Sequence, residues 1–411
     1  MMRPMPFRLL VITLLAALAA AAPSGQSNPE WALRVTPLAV AAEPGSGQPQ
    51  LSVSSRGALL SWIERTGATA TLRWSEREKG AWTAPRTVAS GDNWFVNWAD
   101  VPSVTRLADG SLAAHWLQKS GSGTYAYDVR LAFSTDDGKT WTGSVTPHSD
   151  GTQTEHGFGS LFPISSGRLG LVWLDGRAMK AGHGEHGGGD MSLRYAAFGR
   201  DWKQTAETAI DTRVCECCPT ASAVTADGPI VAYRDRGPDD TRDIYVSRYV
   251  NGAWTAGTPV HQDGWIFPAC PVNGPALSAR GRDVAIAWFT GAKGVPRSYA
   301  AFSTDAGRTF GTPILLDDQG SLGRVDITLL PDGSAAASYI AVLPDKRAEF
   351  RVRRIERGGG ASAPVGIAAI DAGRTSGYPR MALAGTDLVF AWIEGTRPTQ
   401  VRTAVAAIPR P

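Results

Sequence analysis

The sequence predicts an all-β fold, with seven similar sheet units arranged around one axis. Three observations predict it. The 411 residues include 46 Gly, 27 Pro and 14 Trp, a composition of many turns and aromatic strands. A turn containing Gly or Asp leads seven times into a short apolar run that ends on an aromatic: RGALLSW, DGSLAAHW, SGRLGLVW, DGPIVAY, GRDVAIAW, DGSAAASY and GTDLVFAW. Each run is followed by another strand-like segment (TLRW, VRLAFS, SLRYAAF, IYVSRY, SYAAFS, FRVRRI, VRTAVA), and most of those by an outer one.

The run aromatics are Trp62, Trp116, Trp173, Tyr233, Trp288, Tyr339 and Trp392, about fifty to sixty residues apart. A several-stranded unit of that period cannot bury both faces of its own sheet, but packed against neighbours around an axis it can, which predicts a single β-propeller. The count gives seven blades, or six if one repeat is misread. The last unit stops at about Ala406, short of an outer strand. The segment Ala32 to Val40 (ALRVTPLAV) resembles the outer strands of other units and is expected to complete the last blade and close the ring.

Ahead of the repeats, Arg3 and Arg8 precede the apolar run Leu9 to Ala22, followed by small residues. This reads as a signal peptide over 1–22, a flexible lead-in over 23–30 and the propeller over 31–411. The run is short for a membrane span. The expectation is an exported protein, periplasmic or extracellular, with no stable membrane span and in a compartment that permits disulfides. The net charge of +3 is spread along the chain and gives no reason to expect a nucleic-acid partner.

Two hairpins carry a sharper pattern. Ser134 to Trp141 (STDDGKTW) fits S-x-D-x-G-x-T-W, and Ser303 to Phe310 (STDAGRTF) fits it with Phe for Trp. Ser and Asp side chains tie down a tight turn, Gly supplies the positive φ, and the aromatic packs beneath. The pattern resembles the Asp box of sialidase-like, or BNR-repeat, propellers. The resemblance covers nearly the whole expected mature chain. It implies that the boxes are structural and face away from the functional side.

In such a blade the first strand leaves the functional face and the second returns to it. The lead-ins to first strands and the loops after the run aromatics therefore meet at one mouth. The lead-ins supply Asn97 and Asp100, His156, Cys215, Cys217 and Cys218, Cys270, Arg324 and Asp326, and Arg374, Tyr378 and Arg380. The loops supply Glu64, Asp175, Arg177, Arg234, Asp235, Arg236 and Glu394. The longest loop, RAMKAGHGEHGGGDM, adds His183 and His186. His115 lies inside a strand and is expected to be a packed core residue.

Three chemistries are open at that mouth. The resemblance implies an exo-alpha-sialidase-like glycoside hydrolase, or a protein that recognises acidic glycans. Sialidases hold a carboxylate with arginines and use a tyrosine nucleophile and an aspartate acid. Tyr378, Arg380, Arg236 and Arg177 would fill part of that set, with Asp100 or Asp175 as the acid. The chain departs from the family in lacking its R-I-P motif near the first blade, where PQLSV stands. Alternatively, Cys215, Cys217, Cys218, Cys270, His156, His183 and His186 form a soft donor set suited to copper or zinc. Third, the cysteines would form two disulfides. Bonding adjacent Cys217 and Cys218 would strain the bridge. That leaves Cys215–Cys218 with Cys217–Cys270, or Cys215–Cys217 with Cys218–Cys270. A carbohydrate or other small ligand is the expected partner, and a non-catalytic interaction scaffold remains the third kind of function.

Overall fold

The computed structural model describes Met1 and residues 30–409 apart from 166, 180–187 and 346. The expected signal segment and lead-in therefore lie outside the described residues, except Met1 and Glu30. Among the described residues no helix is long and apolar enough to cross a membrane.

The chain forms a seven-bladed β-propeller. In the first blade, Gly47–Ser54 is innermost, followed by Gly57–Thr66 and Thr69–Glu78, with Ala81–Trp82 and Arg86–Gly91 outside. The innermost strands of the other blades are Ser103–Arg106, His156–Ser165, Ala221–Thr225, Ala276–Arg280, Ser321–Leu329 and Arg380–Ala384. Neighbouring strands within each blade are antiparallel. Blade two has three strands in its sheet, and Val145 exchanges both backbone hydrogen bonds with Leu131 (2.8 Å) along its outer edge.

The ring closes as the sequence predicts. Thr36–Leu38 pairs antiparallel with Gln400–Ala407, placing Thr36 opposite Val405 and Leu38 opposite Thr403. Ahead of this strand, Trp31 (6% exposed) and Leu33 (7%) pack with Phe350, Phe390 and Trp392 between the last two blades. The first and last strands of the ring thus share one sheet and one core.

All seven run aromatics are buried, as their apolar setting requires. A buried indole N–H needs an acceptor, and in two blades the acidic residue two positions later supplies it. Trp62 Nε1 donates to Glu64 Oε1 and Trp173 Nε1 to Asp175 Oδ2, both at 2.9 Å. The apolar clusters lie mainly between blades. One joins Trp74 and Leu72 of blade one to Leu112 and Trp116 of blade two, and the others repeat that arrangement round the ring.

The two S-x-D-x-G-x-T hairpins share one hydrogen-bond network. Ser134 Oγ donates to Asp136 Oδ1 (2.8 Å) and accepts from Gly138 N (2.9 Å), while Thr140 N and Oγ1 donate to the two oxygens of Asp136 (2.9 and 2.6 Å). Ser303, Asp305, Gly307 and Thr309 repeat it. Gly138 has φ +75°, and a Cβ there would run into the Trp74 ring of the preceding blade. Arg56, on the first blade's inner turn, bonds Asp137 at 2.9 Å. The inner turns and these hairpins therefore share the face opposite the mouth.

If closure depends on the buried N-terminal segment, Trp31→Ala should destabilise the protein by about 3 kcal/mol or more, the usual cost of emptying a buried tryptophan site. Urea unfolding is expected to show a lower midpoint; an unchanged midpoint would contradict this role.

Candidate functional site

The mouth is shaped by how the inner strands begin. Gln48, Phe158, Val272 and Arg324 take φ values of 55°, 52°, 46° and 52°, and Gly377 takes 56°. This left-handed region is sparsely populated by non-glycine residues and costly for a β-branched one such as Val272. Register shifts follow between Gly47 and Gln50, Gly157 and Ser160, and Gly323 and Asp326. Five of the seven lead-ins thus kink at the same point. Bulges of this kind re-aim side chains. Below them the inner strands of all blades enclose an axial cavity of about 350 Å³. Small polar residues line it and bond across blades, as in Ser160 Oγ to Ser222 Oγ (2.6 Å) and Ser52 Oγ to Val104 O (2.8 Å).

On the rim, aromatic and guanidinium groups alternate. Trp98 stacks with Tyr378, with ring centres 6.0 Å apart. Arg324 and Arg374 lie over Trp98 at 4.7 and 5.8 Å, and Arg380 lies over Tyr378 at 5.3 Å. Arg324 is buried and bonds only to neutral acceptors: Gly373 O (2.9 Å), Gly377 O (3.1 Å) and Ser376 Oγ (2.7 Å). Nearby, Arg234 (1% exposed) lies over Trp265 and bonds only to the carbonyls of Asn273 (2.9 and 2.7 Å), Phe289 (2.7 Å) and Arg242. Among the described residues, none of Arg234, Arg324, Arg374 and Arg380 has a carboxylate within ion-pair distance. Burial holds the Arg380 and Arg324 guanidiniums below their ordinary range, and Arg374 beside Arg324 adds to its shift.

Across the mouth, Tyr127 Oη lies 3.0 Å from Asp100 Oδ2 and 2.7 Å from Glu155 Oε1. A phenol carries one proton, so the two carboxyl groups compete for it as acceptors. Burial pushes Asp100 up to about 7, against the bonds it receives from the Phe158 backbone and Tyr127. Burial also raises Glu155 to about 8; the Tyr127 bond opposes this, while the charges of Asp100, Glu216 and Cys215 reinforce it. Asp100 is 1% exposed and Glu155 half-buried, so Glu155 is the more accessible of the two. Gly157 makes the arrangement possible, because a Cβ there would collide with Asp100 Oδ2 and the Tyr127 ring.

The Cys-x-Cys-Cys turn follows the outer strand of blade three, Gln204–Val214. Cys215 Sγ lies 3.2 Å from Cys218 Sγ and 3.9 Å from Cys217 Sγ, and Cys270 contacts Cys217. All four cysteines are free thiols. Glu216, between the first two, is buried and takes both Arg236 and Arg242, the latter at 2.8 Å. Burial pushes the Cys215 thiol up to about 12. Cys218 is held well below the ordinary thiol range: burial opposes this, but the Cys215 and Cys217 thiols, the Arg234 charge and the Asn273 N–H (3.4 Å) favour its anion.

The structure distributes the sequence-derived candidates unevenly. Tyr378 and Arg380 lie together, with Asp100 across the mouth. Tyr378 is 3% exposed and its hydroxyl donates to Val272 O at 2.7 Å. Arg236 is committed to Glu216 and to Asp240 (2.8 Å). Arg177 bonds Asp175 (2.7 and 2.8 Å) and Glu207 (2.9 Å), away from Tyr378. Asp175 is fully buried; despite that burial, bonds from Arg177 and the charge of His156 keep its carboxyl below the usual range, so it holds no proton to donate.

His156 does not join the sulfurs. It stacks on His148 (3.8 Å) amid Asp128, Asp150 and Asp175, at 3.4, 3.3 and 3.8 Å. Burial opposes its charging, but these carboxylates outweigh it and raise its pKa, favouring the charged imidazole. His183 and His186 lie outside the described residues. His115 is buried in its strand, Nδ1 2.8 Å from Ser103 Oγ, and burial lowers it to about 4. Sequence reasoning missed Trp98, Tyr127, Glu155, Glu216, Arg242 and Asn273. Glu155 and Glu216 are direct neighbours of candidates it did name.

Neither a protein-family model nor a curated protein matches the sequence. Among solved structures the chain is similar to a lectin, BP39L from Burkholderia pseudomallei, with TM-score 0.59 and 12% identity over 87% of this chain and 96% of that one. It is similar to a protein of unknown function from Dyadobacter fermentans, with TM-score 0.54 and 15% identity over 92% and 99%. An ulvan lyase solved with a glucuronate-rhamnose sulfate ligand aligns with TM-score 0.53 and 12% identity over 91% and 94%. At such identities the likeness establishes the propeller fold.

The raised carboxyls have a consequence for stability. In the folded chain Glu155 keeps its proton up to about pH 8, against an ordinary 4.5. Its contribution is complete below the ordinary value and is lost as pH rises through the folded one. Stability from this group should therefore fall between about pH 5 and about pH 9. Urea midpoints across that range should flatten in Glu155→Gln, and a variant with the native slope would contradict the assignment.

Proposed function

We propose that the mouth binds an acidic glycan. One observation carries the reading: four rim guanidiniums lack a carboxylate partner among the described residues, and three of them lie against the stacked Trp98 and Tyr378 rings. A pyranose ring stacks on an aromatic face, and guanidiniums pair with its carboxylate or sulfate. Asp100 and Glu155 cancel only part of this charge, because near neutrality Glu155, raised to about 8, is mostly protonated and Asp100, raised to about 7, is about half so. The similarity to a lectin and to a lyase solved with a glucuronate ligand is in keeping with this use of the fold. Arg374 is exposed and its side chain makes its one described contact with Trp98, so it is free to turn toward a ligand.

The Asp100–Tyr127–Glu155 group favours a second reading, in which the bound glycan is also cleaved. A carboxyl held at about 8 near a ligand is a general acid at neutral pH. Glu155 then takes the acid role that the family resemblance implied for Asp100 or Asp175, and Tyr127 and Asp100 hold its proton in place.

Calorimetric titration with uronic-acid and sialic-acid oligosaccharides tests both. Arg374→Ala and Trp98→Ala should each weaken binding about tenfold or more, as loss of a charge-assisted contact does. Glu155→Gln should retain binding and, if the glycan is cut, abolish cleavage. Unaltered affinity in both Arg374→Ala and Trp98→Ala would overturn the reading.

A further inference from the structure

We propose that Cys215, Cys217 and Cys218 form a three-sulfur site for one copper(I) ion beside the mouth. Their three sulfurs lie within 4.8 Å of one another, with two spacings of 3.2 and 3.9 Å. A metal–thiolate bond of about 2.3 Å sets sulfurs sharing one ion in a trigonal plane about 4 Å apart. Small side-chain shifts therefore close the triad on an ion. No histidine or carboxylate among the described residues joins this group, and Cys270 lies against Cys217 outside it. Three soft donors without a fourth suit copper(I); zinc takes four ligands in structural sites.

The turn is held from several sides. Cys215 N donates to Arg234 O at 3.0 Å, Glu216 is gripped by Arg236 and Arg242, and Cys218 Sγ receives the Asn273 N–H at 3.4 Å. Such outer contacts fix ligand orientation. Charge gives an independent argument. Binding releases to solvent whatever protons the three sulfurs still hold and brings in one monovalent cation, so the occupied site, three thiolates and one copper(I), carries two negative charges. Arg234, buried with no carboxylate partner, and buried Arg242 face the triad. The copper stays in its reduced state and no electron is transferred. The site shares no ligand with the glycan contacts of Trp98 and Arg374, so either reading can fail alone.

The test uses the full mature chain, reduced and free of oxygen, titrated with copper(I) against a chromophoric copper(I) chelator. One equivalent should be withheld from excess chelator. Cys217→Ser and Cys218→Ser should each weaken retention beyond the roughly 10- to 100-fold that loss of an outer-shell partner costs. Cys270→Ser and Arg374→Ala should retain copper as the native chain does. Copper K-edge absorption of the native chain should show three sulfur neighbours, which decides the matter even if a cysteine variant fails to fold. The proposal is overturned by native retention in both serine variants, by a first shell with another sulfur count, or by a Cys215–Cys218 disulfide in protein isolated from copper-supplied cells without reductant.

Discussion

Buried positive charge without a carboxylate partner is the constraint around which the mouth is built. A guanidinium taken out of water needs either a counter-ion or a full set of acceptors. Arg234 and Arg324 are satisfied by carbonyl and hydroxyl oxygens alone, and apart from Arg242 O those acceptors belong to neighbouring blades. Arg234 reaches from blade four to Asn273 and Phe289 of blade five, and Arg324 reaches from blade six to the Gly373–Gly377 turn that starts blade seven. Asn273 joins the two systems: its carbonyl takes Arg234, its side-chain oxygen takes Arg324 N (2.8 Å), and its N–H meets Cys218. The contacts that hold the lead-ins together thus leave net positive charge at the axis. Under the proposed function, an acidic ligand from solvent completes it.

The ring is correspondingly asymmetric. On the side of blades two and three, carboxyl groups follow two opposite courses. Asp100 and Glu155 share a phenol, lack a cation, and are driven toward the neutral form. Nearby, Asp175 and Asp150 stand beside Arg177 and His156 and are held below the usual carboxyl range. The second group is a network of carboxylates paired with Arg177 and His156 at the edge of blade three. The first is a store of protons beside a cationic surface. Bulged lead-ins with left-handed residues at Phe158, Val272 and Arg324 bring the two sides to one opening, and the blade cores beneath bear the strain.

Much of the fold was legible in the sequence because the repeat is a packing requirement. Each blade needs a buried aromatic at the same depth, and each S-x-D-x-G-x-T hairpin closes its own hydrogen bonds locally. Ring closure was legible because the last unit lacks an outer strand and the Ala32–Val40 segment supplies one. The addresses of the mouth residues followed from strand direction. Their roles did not. Arg177, Arg236 and Tyr378 sit on the predicted face, yet whether each is free or already bonded depends on partners far away in the chain, such as Glu207, Glu216 and the Val272 carbonyl. Trp98 and Tyr127 went unnoticed because an aromatic on a loop or strand reads as core until a guanidinium or a carboxyl group is found against it. His156 looked like a soft ligand because the carboxylates that raise its pKa lie apart from it in the chain, Asp128 in a strand of blade two and Asp150 in the segment before blade three.

The account's central claim is that uncompensated guanidinium charge makes the mouth a receptor for anions. The most direct measurement compares one oligosaccharide in two forms, with its uronic-acid carboxyls intact and with the same carboxyls reduced to alcohols, by calorimetry at low and high salt. Shape and stacking area stay the same, and only the charge differs. The account predicts binding of the acidic form that weakens as salt rises, and little or none of the reduced form. Equal affinity for both forms, insensitive to salt, would contradict it.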